Sequence, residues 1–414
     1  MLDAGLSPDT VHGYSLSAKA PLMTLANGRS YLAIPGPSVM PDEVLRAMHR
    51  ASPNIYEGEL HDVTHSLIPD LQAVACTTAN VAVYIGNGHA AWEAALANVA
   101  SRGDTVLVLA TGRFCIGWGE MAAEMGVTVE TIDHGETAPV DLDRVAQHLA
   151  ADKAHKIKAV LAVHVDTSTS VKNDIAGLRA VMDAAGHPAL LMADCIASFG
   201  CDRFEMDAWG VDVMVTACQK GLMTPAGISY VYFNAKADAA RGNCVTGYWD
   251  WRKRINPDQY YQFFYGTAPT HHIYGQRAAL DMIKAEGLEA VWARHEALAH
   301  AVWAAFDCWS TDGPLALNIA DPAHRSHAVT SCVAGSPNGD RLRAWCEQKA
   351  GLTLGIGLGR SPSDAYFRIG HMGHVNAHMI MGVLGTMDAG LKALNIPHGE
   401  GALTAAAQVI AARA

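Results

Sequence analysis

Three residues of this chain have the types and settings that could do chemistry: Asp194, Lys220 and Arg368. Asp194 closes an apolar run, residues 189–193, and precedes a turn of small residues, Ala197, Ser198 and Gly200. A second apolar run, residues 211–217, delivers Lys220 into a loop of Gly221, Pro225 and Gly227, and a third run, residues 228–233, leads away. An Asp after a strand usually forms a turn, and a loop Lys is usually solvated. Lys220 differs because small and apolar residues surround it, and desolvation makes an amine a usable nucleophile. Arg368 stands in the stretch YFRIGHMG, where apolar flanks imply partial burial and a planar guanidinium suits bidentate capture of a carboxylate.

The elements that position these residues follow from pattern. Short continuous apolar runs bounded by Gly and Pro read as strands buried on both faces, and helix-covered sheets of such strands bind ligands at their carboxyl ends. Runs at 81–85, 105–110, 127–132 and 157–165 alternate with helical stretches at 90–100, from after Phe114 to 125, and at 141–150 and 174–185, the order of a parallel α/β sheet. The turn Gly86-Asn87-Gly88-His89 opens the first of these helices, and backbone N–H groups at a helix N-terminus favour a phosphate. Pro35-Gly36-Pro37 leaves its backbone little freedom and reads as a fixed wall, followed by a helix at 41–50. Helices at 273–286 and 288–309 bridge to a region of short strands and helices. The expected division is an N-terminal arm 1–30, a large domain 31–286 and a small α+β domain 287–414. An amine nucleophile and an acid at neighbouring strand ends are the pair that pyridoxal phosphate chemistry requires, the lysine to bond the aldehyde and the acid to keep the pyridine nitrogen protonated.

Composition excludes other classes. With 414 residues, half of them hydrophobic, the chain can bury a large core. A net charge of −11 and the lack of any basic run exclude nucleic acid as a partner, and no apolar run approaches the roughly 20 residues that span a bilayer. Nine dispersed cysteines, several inside apolar runs, are the usage of a reduced compartment, and the N-terminus lacks the pattern of a secretory signal, so a soluble cytoplasmic protein is expected. The 20 histidines are scattered; His271-His272 is the only adjacent pair, and no metal site is expected.

The stretches from Asp194 to Gly200, from Trp209 to Val213 and from Gln219 to Gly227 resemble the core of the class V aminotransferases, with the serine/alanine–glyoxylate aminotransferases the most similar branch. The likeness runs from about Pro35 to beyond the FRIGHMG stretch. It implies a fold type I pyridoxal-phosphate-dependent transferase: a large domain with a mostly parallel seven-stranded sheet between helices, plus a small C-terminal domain. It also implies site roles. Lys220 bonds the cofactor and Asp194 faces the ring nitrogen; Asn87, Gly88 and His89 cradle the phosphate, with Gln219 a donor on that side. Phe114 stacks on the ring, Thr167 hydrogen-bonds it, Gly36 lies beside the substrate and Arg368 binds the substrate α-carboxylate. Thr267, with Phe264 or Tyr265 before it, crosses into a neighbouring subunit to the partner's phosphate, so a homodimer with shared sites is implied. Two departures stand out: Cys218 where a serine is usual, and Ser170 where a glycine is usual.

The reaction implied is transfer of an amino group from a small amino acid (serine, alanine or similar) to a small 2-oxo acid, most of all glyoxylate. Residues 53–60 depart from the basic-polar segment of serine–glyoxylate enzymes, while the aromatic segment 248–265 and the stretches 289–295 and 369–373 resemble pyridoxamine–pyruvate aminotransferase, the first alternative. A lyase or desulfurase of the same fold is the more distant one; it would need a mobile cysteine late in the chain, where Cys332 and Cys346 are the candidates.

Overall fold

The computed structural model of the chain describes residues 24–413, so most of the expected N-terminal arm lies outside it. Its centre is a seven-stranded sheet in the order Asn80–Gly86, Gly227–Phe233, Val213–Ala217, Leu190–Asp194, Ile157–Val163, Thr105–Ala110, Thr128–Asp133. All neighbours pair in parallel from Val213–Ala217 outward, and Gly227–Phe233 alone runs antiparallel to both of its neighbours. The parallel α/β sheet expected from the alternating pattern, with the seven mostly parallel strands that the resemblance implies, is therefore present. Its central strands are buried on both faces: every residue of Leu190–Asp194 and Val213–Ala217 is buried, with one apolar cluster around Leu191, Ala193 and Met214 and another around Met192, Val213 and Val215. That is why these strands read as unbroken apolar runs rather than as alternation.

The helices between them start where their caps direct. Asp141 accepts the N–H groups of Asp143 and Arg144, and Asp174 accepts that of Gly177, satisfying orphan donors of the first turn. A second sheet of five strands lies in the order Tyr31–Ala33, Leu352–Ile356, Tyr366–Gly370, Val329–Val333, Ala316–Leu317. It packs with Leu288–Trp309, Ala377–Ala393 and Ala402–Arg413 around a separate core that includes Phe306, Trp309, Phe367 and Leu384.

Two differences from expectation concern this frame. Tyr31–Ala33, assigned by position to the large domain, pairs in parallel with Leu352–Leu354 of the second sheet. Three residues cannot declare their partner, because a strand's partner is chosen by backbone that is remote in sequence. The helix Glu59–Val74 is not among the elements read from the sequence. It carries Pro69, which costs an interior hydrogen bond, yet its buried residues Leu60, Thr64, Leu67, Leu71 and Val74 keep helical spacing and seal one face against the sheet core.

Candidate active site

One cavity of about 200 Å³ opens at the carboxyl ends of the parallel strands. Asn87, Gly88 and His89 reach it from the N-terminus of helix Gly88–Val99, and Phe114 from the first turn of Arg113–Glu124. Thr167 enters from the loop after Ile157–Val163, Asp194 from the end of its strand, and Gln219 and Lys220 from the loop after Val213–Ala217. Eight residues singled out in sequence thus share one wall. They do so because adjacent parallel strands end at one edge of the sheet.

Asp194 is buried and doubly anchored: Oδ1 accepts the Ile196 N–H at 2.7 Å and Oδ2 accepts the Trp92 indole N–H at 2.9 Å. Burial pushes its pKa up to about 7, against the pull of those two donors. Trp92 is a functional candidate that sequence reasoning missed. Its signal was position, one turn into the helix that the glycine-rich turn opens, on the side facing the next strand.

The Lys220 amine donates to the Pro35 carbonyl oxygen. Burial, aided by the Arg368 charge and opposed by Asp194, lowers its pKa from the ordinary lysine range to about 8. Ser38 clips the lysine's loop from the other side: its N–H donates to the Gln219 carbonyl at 2.9 Å and its hydroxyl to the Lys220 carbonyl at 2.7 Å. Gly36 lies outside the cavity lining but against the lysine. Its φ is +90°, and a Cβ there would come within 2.5 Å of the Lys220 Cδ and Nζ. Gly36→Ala is accordingly expected to lose about 1–3 kcal/mol of stability from backbone strain. It should also lose about 100-fold in turnover through the displaced amine, to be read by thermal unfolding and steady-state kinetics.

Cys218, the departure before the lysine, is a buried pin. Its thiol donates to the Pro225 carbonyl at 2.9 Å and its sulfur accepts the Ile228 N–H at 3.4 Å, and burial raises its pKa. Ser170, the other departure, takes φ +62°, a left-handed conformation in which glycine has no Cβ penalty, so the turn keeps the shape a glycine would give it.

Arg368 sits behind Thr167 rather than in the cavity lining. Nε donates to the Ile356 carbonyl at 2.7 Å and Nη1 to the Thr167 carbonyl at 2.8 Å, leaving Nη2 without a protein partner among the described residues. Burial brings its pKa down to about 10, so it stays a cation. Thr267 is not gathered into this cavity; it is exposed on the turn before Thr270–Glu286. Of its two aromatic neighbours, Phe264 is core and Tyr265 is 45% exposed.

Two expectations meet direct geometric tests. Cys332 lies mid-strand in Val329–Val333 and Cys346 inside helix Asn338–Ala350, both fully buried, so neither is the mobile cysteine that a desulfurase needs. The stretches 289–295 and 369–373 meet each other, with His295 Nε2 accepting the Gly373 N–H at 3.0 Å, in a packing joint outside the cavity lining. His271 and His272 each contact a backbone carbonyl, of Arg50 and Ala226 respectively.

The residues present fit pyridoxal phosphate. Gln219 lines the cavity, and its side-chain NH2 group is the part that can donate to a phosphate there. The positive end of helix Gly88–Val99 opens onto the same space, where Gly88 has no room for a Cβ because of Ile196. A nucleophilic amine and an anchored acid complete the donor set. A mostly parallel sheet with a lysine and an acid at its strand ends defines a fold type I pyridoxal-phosphate-dependent enzyme. More narrowly, the chain belongs to the class V aminotransferases, whose family profile (Aminotransferase class-V) matches residues 30–369, and it is a pyridoxal-phosphate-dependent transaminase. It is 35% identical to a serine–glyoxylate aminotransferase of Methylorubrum extorquens over 86% of this chain and 90% of that one. It is 34% identical to an L-aspartate–glyoxylate aminotransferase of Paracoccus denitrificans over 91% and 94%. Among solved structures, the pyridoxamine–pyruvate aminotransferase of Mesorhizobium loti superposes with a TM-score of 0.83 at 26% identity, covering 93% of this chain and 97% of that one.

Proposed function

We propose that this transaminase moves an amino group from a small amino acid, serine, alanine or similar, to a small 2-oxo acid, with glyoxylate the foremost acceptor. The observation that carries the reading is the convergence of Lys220 and Asp194 on one pocket, with Arg368 held behind Thr167, its Nη2 spare and its charge felt by Lys220; the glyoxylate enzymes among its relatives support the acceptor.

Bound in this cavity, pyridoxal phosphate supplies an electron sink for the carbanion left when the amino acid loses its Cα proton. The chain's own residues do the rest. Asp194, oriented by Trp92 and Ile196, presents a carboxylate to the ring nitrogen. Lys220 takes the Cα proton and returns it to the adjacent carbon, base then acid, with a pKa near working pH as such a shuttle requires. Arg368 captures the α-carboxylate through Nη2 while Thr167 and Ile356 fix its plane. Phe114 covers a ring face, Thr167 donates to the ring, and Asn87, Gly88, His89 and Gln219 hold the phosphate, joined by Thr267 of the partner subunit in a homodimer. The exposure of Thr267 and Tyr265 supports that shared site. We place the protein in the cytoplasm: all nine cysteines are unpaired, and no helix among the described residues is long and apolar enough to cross a membrane.

Two measurements test this reading. With single amino acids added and no oxo acid, the visible absorbance of the loaded protein should convert to the near-ultraviolet band of the aminated cofactor for serine, alanine or aspartate. No conversion with any amino acid sinks the reading. Protein that arrives colourless and turns over pyridoxamine with pyruvate would move the assignment to the alternative. Cofactor attachment should also follow the lysine's titration. A pKa of about 8 leaves roughly a tenth of the amine neutral at pH 7, against well under a thousandth for an ordinary lysine. The attachment rate to cofactor-free protein is therefore expected to rise about tenfold per pH unit below 8 and to level off above it. A rate still climbing at about pH 10 would show an unperturbed lysine.

A further inference from the structure

The loop Asp166-Thr167-Ser168-Thr169-Ser170 is held from two sides at once. On one side it caps the helix that carries Phe114. Gly112 stands at that helix's N-terminus and supplies no side-chain cap. Asp166 supplies one across the fold: Oδ2 accepts the Phe114 N–H at 2.8 Å, while Oδ1 accepts the Ser168 N–H at 2.8 Å and the Ser168 hydroxyl at 2.5 Å. The Ser168 oxygen in turn accepts the Arg113 N–H at 3.2 Å. Gly112 must lack a side chain for this, since a Cβ there would come within 2.5 Å of the Asp166 carboxyl carbon.

On the other side, the second sheet grips four consecutive residues of the same loop. Arg368 donates to the Thr167 carbonyl at 2.8 Å, the Ser331 hydroxyl to the Ser168 carbonyl at 3.3 Å, and Asn318 to the Thr169 carbonyl at 2.9 Å. The Ser331 N–H donates to the Ser170 hydroxyl oxygen at 3.1 Å. Ser331 and Arg368 are direct cross-strand partners in the antiparallel pair Val329–Val333 and Tyr366–Gly370. The residue assigned to the substrate carboxylate and the residue assigned to the ring face are thus joined by one short loop with every link a hydrogen bond.

We propose that Asp166 and Ser331 are positioning residues of the transaminase: Asp166 sets Phe114 against the cofactor ring, and Ser331 keeps that assembly in register with Arg368. The proposal rests on the site assignment above. Neither residue touches the reacting atoms; they act through Phe114, Thr167 and Arg368, where a displacement of about 1 Å is enough to cost about 100-fold in rate.

The experiment uses the loaded enzyme with Asp166→Asn, Ser331→Ala and Ser331→Thr, read by visible circular dichroism of the cofactor, amide hydrogen exchange at Phe114, and single-turnover rate with the best amino donor. Asp166→Asn turns one acceptor into a donor facing N–H groups. It is expected to weaken the visible dichroism, to speed exchange at Phe114 and to slow the half-reaction about 10- to 100-fold, with the donor's half-saturation concentration shifted less than about threefold. Ser331→Ala is expected to raise that concentration and slow turnover together, and Ser331→Thr, which keeps the hydroxyl, to restore both. Should Asp166→Asn fail to fold, the Ser331 pair alone decides. Variants that lose thermal stability but keep the wild-type dichroism, Phe114 exchange and donor response would overturn the proposal by reducing both residues to scaffold. A wild-type protein that converts no amino acid would instead defeat the transaminase assignment, a result visible before any variant is made.

Discussion

Lys220→Ala is expected to eliminate covalent attachment of the cofactor and to lower turnover by at least about 1,000-fold. General acid–base catalysis by a positioned side chain contributes about 100- to 10,000-fold, and this lysine also provides the covalent anchor. Among the described residues no second lysine lines the cavity, and the amine's neighbours are the Pro35 carbonyl, Asp194 and Arg368, none of which can replace a neutral amine. The check is the visible spectrum after reconstitution together with turnover. The variant should fold, because the loop stays pinned by Ser38, Cys218 and Thr224 through contacts to backbone carbonyls. Full activity in this variant would sink the site assignment as a whole.

The second large effect belongs to Asp194→Asn, expected to cost about 100- to 1,000-fold in turnover, the range seen when one preorganised electrostatic partner of a developing charge is removed. Here the physical argument is about charge, not shape. Trp92 and Ile196 aim N–H donors at the two carboxylate oxygens, so an amide in that place must either turn its NH2 group against one of these donors or leave it unpaired. It also cannot hold the ring nitrogen's proton by opposite charge. The measurement is turnover alongside the affinity for the cofactor, which should fall far less than turnover does, since the phosphate cradle at Asn87, Gly88 and His89 is untouched. Equal losses in both would mean that Asp194 is an anchor rather than an electrostatic partner. Trp92→Phe, which keeps an aromatic ring and deletes one donor, should show the same pattern in weaker form.

Much of this site is legible in the sequence. Apolar runs ending in Asp194 and just before Lys220, and a glycine-rich turn before residue 90, announce strand ends, and in a parallel sheet strand ends share an edge. The doubly buried strands wrote themselves as unbroken apolar stretches, and helix starts were marked by Asp141 and Asp174. The helix Glu59–Val74 was obscured by Pro69, and the strand Tyr31–Ala33 was too short to show where it pairs. Trp92 and Asp166 escaped notice because an indole and a carboxylate act here by hydrogen bonds to residues 102 and 52 positions away, and no local pattern encodes such a partner.

By itself the sequence determined the α/β alternation, the lysine–acid pair and the cofactor they require, which depend on local periodicity and on residue types at strand ends, and its resemblance to known sequences pointed to the family. Only the tertiary structure decided that Arg368 braces the Thr167 loop, that Gly36 must be bare to admit the lysine, and that Asp166 caps a helix it does not belong to. It also showed that Cys332 and Cys346 are core and that the stretches 289–295 and 369–373 meet outside the cavity lining. Those outcomes turn on which side chains lie within 3 Å or so of one another across the fold, and hydrogen bonds and close packing act over that range whatever the separation along the chain.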